Sequence, residues 1–495
     1  MASNTLQLPI RGTDTIRIPE SAASPTQPTL PLTPAAPALS PIALATVLIG
    51  ALLPITDFFI VNVALPTMSQ SLHASDALLE LVVAGYGTAY AVLLVLGGRL
   101  GDAHGRRKLF LAGMAAFTLT SLLCGLAPSA GMLVGARILQ GASAALMVPQ
   151  TLSTIQATGD LQSRSKALGW YGATAGIAAV IGQVLGGFLV SANIAGSTWR
   201  PIFLVNVPVG IVGLFLAARH VPETKAGRAA HLDRAGTALL AAALVAVLVP
   251  LTEGQALGWP WWSWVVLASA PVFATAFLAV QRRHERAGRL PLLPPSVVRL
   301  RSMRRGLLML SPFFAGMSAF MFVYALTFQG TLHWSAMRAG LTLAPFAIAF
   351  LFVSLQMSKL VNRYGHRVIT AGAATQFVGL VGLIGSMWAT WPHVNPPALE
   401  PALIVIGIGQ GLIAPALFRQ VLSDVPIADA GAGSGVLGTT QQVSLAMGVA
   451  TLGTLFTSLE SSHRLGVLHS AMLIIGIESL VAAGIAIAST RFASD

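Results

Sequence analysis

The sequence contains few charged residues: Asp, Glu, Lys and Arg together make up 9% of its 495 residues. Soluble domains carry about 25% charged residues, so this chain cannot surround its core with an ordinary water-facing surface. Its single cysteine, Cys124, excludes an internal disulfide and any metal site built from several cysteines. The phosphate-binding motif G-x-x-x-x-G-K-[ST] and the zinc motif H-E-x-x-H are both missing. We therefore expect neither an ATP-driven pump nor an enzyme, and no metal or cofactor.

Apolar residues dominate instead: 55% of the chain is hydrophobic, and the mean hydropathy is +0.75. Apolar segments follow one another, each close to the roughly 20 residues that a helix needs to cross a bilayer. The sequence therefore predicts an all-α, polytopic membrane protein with fourteen membrane-spanning helices. The predicted helices cover residues 42–66, 78–97, 108–127, 131–155, 166–190, 201–219, 235–252, 260–280, 305–328, 339–358, 367–388, 400–419, 433–457 and 467–489.

The basic residues predict the orientation of these helices, because Lys and Arg are retained on the cytoplasmic side of a membrane. With the N-terminus inside, most of the 29 basic residues are cytoplasmic, and the outside segments hold only Arg200, Arg338 and Arg464. Residues 1–41, rich in Pro, Thr, Ser and Ala, are expected to form a disordered cytoplasmic tail, and 490–495 a second tail. The net charge of +12 is therefore explained by basic residues on the cytoplasmic side of the membrane, and it does not indicate nucleic-acid binding.

An internal repeat predicts how the helices are grouped. The loop after helix two and the loop after helix ten pair Leu100 with Leu360, Asp102 with Asn362, Gly105 with Gly365 and Arg107 with Arg367. Transporters built from two similar halves show weak internal symmetry of this kind. Because the loops lie eight helices apart, we expect six-helix bundles at 42–219 and 305–489, with two additional helices in 220–304.

Three ionisable residues fall inside predicted helices, where burial is costly and usually functional. They are Asp57, Arg137 and Glu478. A carboxyl group whose cationic partner moves away during a transport cycle can take up and release a proton. Asp57 is therefore the leading proton carrier, although a permanent structural pair with Arg137 would leave the same pattern. Glu478 is either a second proton or cation site or a residue facing Gln441 and Gln442.

Several segments carry recognisable motifs. Gly98–Lys108 fits G-x-L-[AG]-D-x-x-G-[RK]-[RK], and Arg137–Ala145 fits R-x-x-Q-G-x-x-x-A. These two segments, together with Thr56–Pro66 and Trp199–Gly210, resemble motifs of the major facilitator superfamily and, more narrowly, of its fourteen-helix drug:proton antiporter branch. The usual proline of the fifth-helix antiporter motif is Gln183 here, so that helix lacks the usual proline kink.

The resemblance implies proton-coupled efflux of amphipathic drugs or antibiotics by alternating access. An exporter of an endogenous metabolite and a proton-coupled importer of the same fold are the alternatives. It also implies that Arg137 assists proton transfer by biasing a neighbouring acid, although a structural role, in which it donates to backbone carbonyls, is equally compatible with the sequence. The expected partners are a small-molecule substrate, protons and the bilayer of a bacterial inner or plasma membrane, and the expected oligomeric state is a monomer.

Two further sets of residues receive roles. In the family, the loop after helix two is a conformational latch, although positive-inside anchoring alone would explain its arginines. The latch residues are Gly98, Asp102, Gly105, Arg106 and Arg107. Aromatic and amide residues at helical spacing are candidates to line a substrate cavity, although packing or lipid-facing residues share that spacing. The cavity candidates are Tyr86, Tyr90, Gln140, Trp170, Tyr324 and Gln441.

Overall fold

The structure is a computed structural model that describes residues 38–74, 76–224, 233–254, 257–289, 291–365, 367–461 and 466–491. Most of both predicted tails lies outside these residues. Within them the chain is helical and forms no strand. The helices are α1 (Pro41–Leu72), α2 (Asp76–His104), α3 (Arg106–Gly125), α4 (Ala130–Ala157), α5 (Leu161–Ala192), α6 (Pro201–Leu204), α7 (Asn206–His220), α8 (Arg234–Glu253), α9 (Trp261–Arg286), α10 (Pro295–Val298), α11 (Arg301–Ala325), α12 (Ala336–Thr342), α13 (Ala344–Tyr364), α14 (Arg367–Thr390), α15 (Pro396–Leu422), α16 (Ala430–Gly448), α17 (Thr454–Ser461) and α18 (Val467–Arg491).

Within the described residues, twelve helical segments are long and apolar enough to cross a membrane. They are provided by α1, α2, α3, α4, α6 with α7, α9, α11, α12 with α13, α14, α15, α16 with α17, and α18. The predicted number of fourteen is therefore not confirmed. Helices α5 and α8 occupy the other two predicted segments: α5 has 32 residues, whereas the apolar part of α8, Ala235–Leu251, is shorter than the other spans.

The helices before residue 221 pack mainly against one another, as do those after residue 300. In the first group, α4 packs on α2 and α3, and α1 packs on α5; in the second, α15 packs on α13 and α14, and α18 packs on α14. The most extensive contacts between the groups are those of α2 with α16 and of α5 with α13; α4 also contacts α16, and α5 also contacts α12 and α15. Helices α8 and α9 pack on each other, and α8 also contacts α2 and α16.

Glycines permit the closest helix contacts, as expected where packing rather than the hydrophobic effect holds helices together. A Cβ atom on Gly97 of α2 would lie 2.0 Å from the carbonyl oxygen of Ala145 on α4. One on Gly141 of α4 would lie 2.2 Å from the carbonyl oxygen of Tyr86 on α2. The backbones of α2 and α4 therefore touch at two levels, and any side chain at either glycine would separate them.

We expect Gly141→Val to destabilise the protein by about 1–3 kcal/mol, the usual cost of overpacking a tight core. Thermal unfolding of the detergent-purified protein should show a lower midpoint than wild type. Gly135→Val is the matched control, because no atom lies within 4 Å of a Cβ built at Gly135 on the same helix. Equal midpoints for the two variants would contradict the close approach of α2 and α4.

The segment Gly98–Lys108, expected as a loop, is almost entirely helical. Helix α2 continues to His104 and α3 begins at Arg106, so that only Gly105 separates them. Gly105 has φ +105°, a conformation that glycine adopts without steric cost. The predicted second helix ended at residue 97 because the prediction followed the apolar run alone. Backbone hydrogen bonds do not depend on apolar side chains, so the helix continues beyond its last hydrophobic residue. The motif residues are therefore fixed on helix ends.

Candidate functional site

A buried polar cluster surrounds Asp57 of α1, whose side chain is fully shielded from solvent. Nη1 of Arg137 forms an ion pair with Oδ2 of Asp57. Oδ1 accepts hydrogen bonds from Nε2 of Gln140 at 3.0 Å and from Nδ2 of Asn206 at 2.8 Å. Helices α1, α4 and α7 thus supply one carboxylate, its cation and two amide donors. Both oxygens of the carboxylate therefore have hydrogen-bonding or ion-pair partners, as a buried charge requires.

Arg137 makes both kinds of contact that the sequence left open for it. Besides the ion pair, its Nε donates to the carbonyl oxygen of Val82 at 3.0 Å, and Nη1 donates to Oε1 of Gln140 at 2.7 Å. Its guanidinium carbon lies 4.1 Å from the centre of the Tyr86 ring, within the range of a cation–π contact. Nη2 of Arg137 has no hydrogen-bond partner among the described residues.

Two members of the Asp57 cluster were not predicted as site residues. Asn206 lies within the motif Trp199–Gly210, which was the available signal. Ser121 of α3 accepts hydrogen bonds from Gln140 at 2.7 Å and from Asn206 at 3.2 Å. Gln140, predicted to line a substrate cavity, lies one turn after Arg137 on the same face and is buried beside Asp57; its cavity role stays a prediction.

Glu478 of α18 is also buried, with 2% of its surface exposed. Its Oε1 accepts a hydrogen bond from Nε2 of Gln376 on α14 at 3.1 Å. A Cβ atom on Gly316 of α11 would lie 3.0 Å from its Cγ. The amide donor is therefore Gln376, and not Gln441 or Gln442 of α16, which are only half-buried. Gln376 could not be identified from its sequence position, because nothing in an apolar helix indicates which way a single glutamine faces.

The predicted latch residues lie at one end of the molecule, which we call the basic end and define by Arg99, Arg106, Arg107 and Arg419. There Asp102 of α2 accepts hydrogen bonds from the backbone nitrogens of Gly431 at 3.1 Å and Ala432 at 3.3 Å. These are among the first backbone N–H groups of α16, where a helix has free donors and a partial positive charge.

Glycines allow α2 and α16 to approach at the basic end. A Cβ on Gly98 would lie 2.1 Å from the carbonyl oxygen of Gly431, and one on Gly431 would lie 2.2 Å from that of Gly98. Further hydrogen bonds join the two groups of helices nearby: Ser153 with Ser434 at 3.0 Å, and Arg419 with Ser165 at 2.8 Å. The first and second groups of helices are therefore in close contact at the basic end.

The arginines of the motif have different partners. Nη2 of Arg106 donates to Oδ1 of Asp102 at 2.9 Å and to the carbonyl oxygen of Ile427 at 2.8 Å, and Arg106 is fully buried. Arg107 instead contacts its own half: its backbone nitrogen donates to Glu223 at 3.3 Å, and its guanidinium donates to the carbonyl of Ala218. Of Arg106 and Arg107, Arg106 is therefore the one that takes part in the contact between the two groups of helices.

Arg99 was not predicted as a site residue, yet it connects three parts of the chain. Its Nη1 pairs with Oδ1 of Asp429 at 3.1 Å, just before α16. Its Nε donates to the carbonyl of Leu292 at 2.7 Å, and its Nη2 donates to that of Pro291 at 2.9 Å. Both carbonyls belong to the segment that leads from α9 to α11. One guanidinium thus holds α2, α16 and this connection together.

Most of the aromatic cavity candidates are packing residues in this structure. Tyr86 is buried and donates to the carbonyl of Pro54 at 2.9 Å, and Tyr90, half-buried, stacks on it. Tyr324 packs on Phe328 in the core of the second group and donates to Ala339 at 3.0 Å. Helical spacing is equally typical of core aromatics and of cavity-lining ones, and Tyr324 also lines a small cavity, so the cavity assignment stays a prediction. Trp170 remains partly exposed, at 38%, and Gln441 is half-buried.

Comparisons with known proteins agree with this architecture. The family description "Major Facilitator Superfamily" matches residues 47–251 and 235–449. The chain is 35% identical to a probable actinorhodin transporter of Streptomyces coelicolor, over 85% of this chain and 73% of that protein. It is also 35% identical to a cephamycin export protein of Amycolatopsis lactamdurans, over 81% of this chain and 82% of that protein.

A solved structure extends the likeness to the fold. The human organic anion transporter MFSD10 superposes with a TM-score of 0.64 at 16% identity, covering 90% of this chain and 99% of that one. The extent of the family match and the identity to both bacterial relatives establish that this chain belongs to the Major Facilitator Superfamily, and that it is a membrane transporter and not an enzyme.

Proposed function

We propose that this protein exports amphipathic antibiotics in exchange for protons, by alternating access. The observation that carries the proposal is the buried ion pair of Asp57 and Arg137, with Gln140 and Asn206 as additional donors. Relatives described as a probable actinorhodin transporter and a cephamycin export protein support an antibiotic as the substrate and export as the direction.

Asp57 is the proposed coupling residue, and Arg137 tunes it. In the paired state, the guanidinium favours the ionised carboxylate, and binding of a proton to Asp57 requires that Arg137 transfer its donors elsewhere. Arg137 already donates to Val82 and Gln140, so it has acceptors that remain when Asp57 becomes neutral. Proton binding therefore breaks the ion pair, while Arg137 keeps hydrogen-bond acceptors in Val82 and Gln140.

The basic end is the proposed cytoplasmic gate, and the contact of Asp102 with α16 is its latch. Its cytoplasmic location follows from the rule that Lys and Arg stay inside, which also leaves both termini in the cytoplasm. A closed gate at this end is the arrangement expected of the state in which substrate leaves to the outside and protons enter. An equilibrium within a few kcal/mol of balance can be biased by such a contact.

We further propose the fourteen-helix arrangement, with bundles at 42–219 and 305–489 and two additional helices in 220–304. At 1.5 Å per residue, α5 is about 48 Å long and α8 about 30 Å, enough to cross a hydrocarbon core of about 30 Å. Separate packing of the helices before residue 221 and after residue 300 supports the division into halves. The expected setting is a bacterial cell membrane, with the protein as a monomer.

Transport into inside-out membrane vesicles tests the function. An acidic lumen should drive accumulation of cephamycin or actinorhodin as protons leave, and a protonophore should abolish the accumulation. At zero membrane potential, each exchanged proton supports about tenfold accumulation per pH unit. Accumulation driven by an alkaline lumen would indicate an importer instead. No transport of either antibiotic, but transport of an extract of host metabolites, would favour an endogenous substrate.

A further inference from the structure

Glu478 and its neighbours occupy the same helices of the second half that the Asp57 cluster occupies in the first. In each half the first, third, fourth and sixth predicted helices contribute. In the first half they contribute Asp57, Ser121, Gln140 and Asn206; in the second, Gly316 and Gln376 lie against Glu478, and the fourth helix carries the buried Gln410. The acid has changed place, from the first helix of its half to the last. Both halves therefore enclose a buried acid with amide groups.

Gln410 strengthens the correspondence. It precedes Gly411 as Gln140 precedes Gly141, and it is fully buried. Neither atom of its amide has a hydrogen-bond partner among the described residues. A Cβ built on Gly409 would lie 2.5 Å from the backbone nitrogen of Gln376, so α15 and α14 touch beside these amides. Buried amide atoms without partners are costly in a purely structural core.

The two clusters differ in charge, because no cation among the described residues takes the place of Arg137 near Glu478. Gly407 occupies the position three residues before Gln410. On α18 itself the nearest titratable residues, His469 and Arg491, lie about 13 Å and 20 Å along the helix axis. On α11 and α14, charged residues are confined to the basic end: Arg305 is about 16 Å from Gly316, and Arg367 about 13 Å from Gln376. On α17 the charged residue is Glu460, near the end of that helix.

A proton is the ligand that this chemistry suits. An uncompensated carboxylate in an apolar core is so unfavourable that such a group takes up a proton instead. A hard metal cation requires about six oxygen ligands, whereas the residue that touches Oε1 of Glu478 is the amide donor Gln376. We infer that Glu478 is a second proton-binding site, the counterpart in the second half of Asp57, and that the transporter exchanges two protons for each substrate molecule.

The structure also links this site to the gate. Helix α16, which begins at the contact with Asp102, carries Gly448, where a Cβ would lie 2.0 Å from the carbonyl oxygen of Ala315 on α11. Gly316, the next residue of α11, packs against Glu478 on the other side. A π-helical turn, Val449–Gly453, follows Gly448 directly, a feature that often accompanies functional sites. Movement of α16 during gating therefore changes the wall of the Glu478 site.

The inference rests on the proposed proton-coupled function, but protonation of Glu478 can be tested without assuming any transport. Infrared difference spectra between wild type and Glu478→Gln, recorded on purified protein without substrate, should contain the carbonyl band of a protonated carboxyl group at neutral pH. Ser479→Ala is the matched control, because Ser479 is buried beside Glu478 and bonds to its own helix; it should retain the band. An ionised Glu478 at neutral pH would overturn the inference, whatever the protein transports.

Stoichiometry gives the second test. In inside-out vesicles with the membrane potential held at zero, two exchanged protons permit about 100-fold accumulation of cephamycin per pH unit, and one permits about tenfold. We expect Glu478→Gln to lower accumulation from the first value to the second, with transport still driven by the pH gradient, and Ser479→Ala to match wild type. Equal accumulation ratios in wild type and Glu478→Gln would refute the second site while leaving proton exchange at Asp57 intact.

Discussion

Asp57→Asn is expected to remove one of the two exchanged protons, so that a gradient of one pH unit supports about tenfold accumulation of the antibiotic instead of about 100-fold. Asparagine has the same shape as aspartate and can still accept from Gln140 or Asn206, but it has no titratable proton. The gradient then supplies about 1.4 kcal/mol, from the proton at Glu478 alone, instead of twice that amount. Exchange of labelled for unlabelled antibiotic at equal concentrations should persist, because it requires the conformational change but no proton.

Folding must be controlled in this experiment, because Asp57→Asn leaves Arg137 buried without its anion. Removing one partner of a buried ion pair typically destabilises a protein by about 3–5 kcal/mol. The double variant Asp57→Asn with Arg137→Gln removes both charges and should recover part of the thermal stability without recovering wild-type accumulation. Wild-type accumulation by a folded Asp57→Asn protein would contradict the assignment and favour a permanent structural pair.

Gly431→Ala is expected to open the basic end and to lower the rate of transport. A Cβ at this position would lie 2.2 Å from the carbonyl of Gly98 and 2.5 Å from Oδ2 of Asp102, so that α16 cannot keep its contact with α2. Overpacking of this kind costs about 1–3 kcal/mol, which corresponds to a shift of about 5- to 150-fold in the equilibrium between closed and open gates.

A cysteine at position 165 can report this shift. Ser165 is 3% exposed and is held by Arg419 of the second half, so Ser165→Cys should react with a membrane-impermeant maleimide only when the basic end opens. The single native cysteine, Cys124, is fully buried and contributes little background. Gly431→Ala should increase the labelling rate in inside-out vesicles, whereas Gly484→Ala, with no atom within 4 Å of the added carbon, should not. Unchanged labelling in Gly431→Ala would mean that this contact does not set the gate.

Composition and the length of the apolar runs were sufficient for the fold class, since runs of about 20 apolar residues span a membrane as helices. The scarcity of charged residues also drew attention to Asp57, Arg137 and Glu478, because each is an isolated charged residue in an apolar segment. The number of spans was less secure. It depends on α5 and α8, and the apolar part of α8 is short, so that length and hydropathy alone do not decide whether it crosses.

Neutral partners could not be predicted, and the reason is physical. Glutamine, asparagine and serine cost little to bury once they are paired, so their presence in a helix does not reveal which way they face. Gln140 was assigned to a cavity although it pairs with Asp57, and Gln376 received no assignment. Tyr86 and Tyr324 show the same limitation for aromatic residues. Helical spacing of three or four residues is found both in aromatics that pack in a core and in aromatics that line a cavity. Only the three-dimensional contacts distinguish these cases.

The hydrogen bonds from Arg99 to the carbonyls of Pro291 and Leu292 shorten the connection between the two halves. Without these hydrogen bonds, the whole connection from α7 to α11 would join the halves. Each closure of the gate would then bring together the ends of a long connection. The entropic cost of closing a loop increases with its length. With Leu292 held against α2, the short stretch from Leu293 to Arg301, which contains α10, links this anchored point to the second half. The tether thus keeps α11 close to its docking position even while the gate is open.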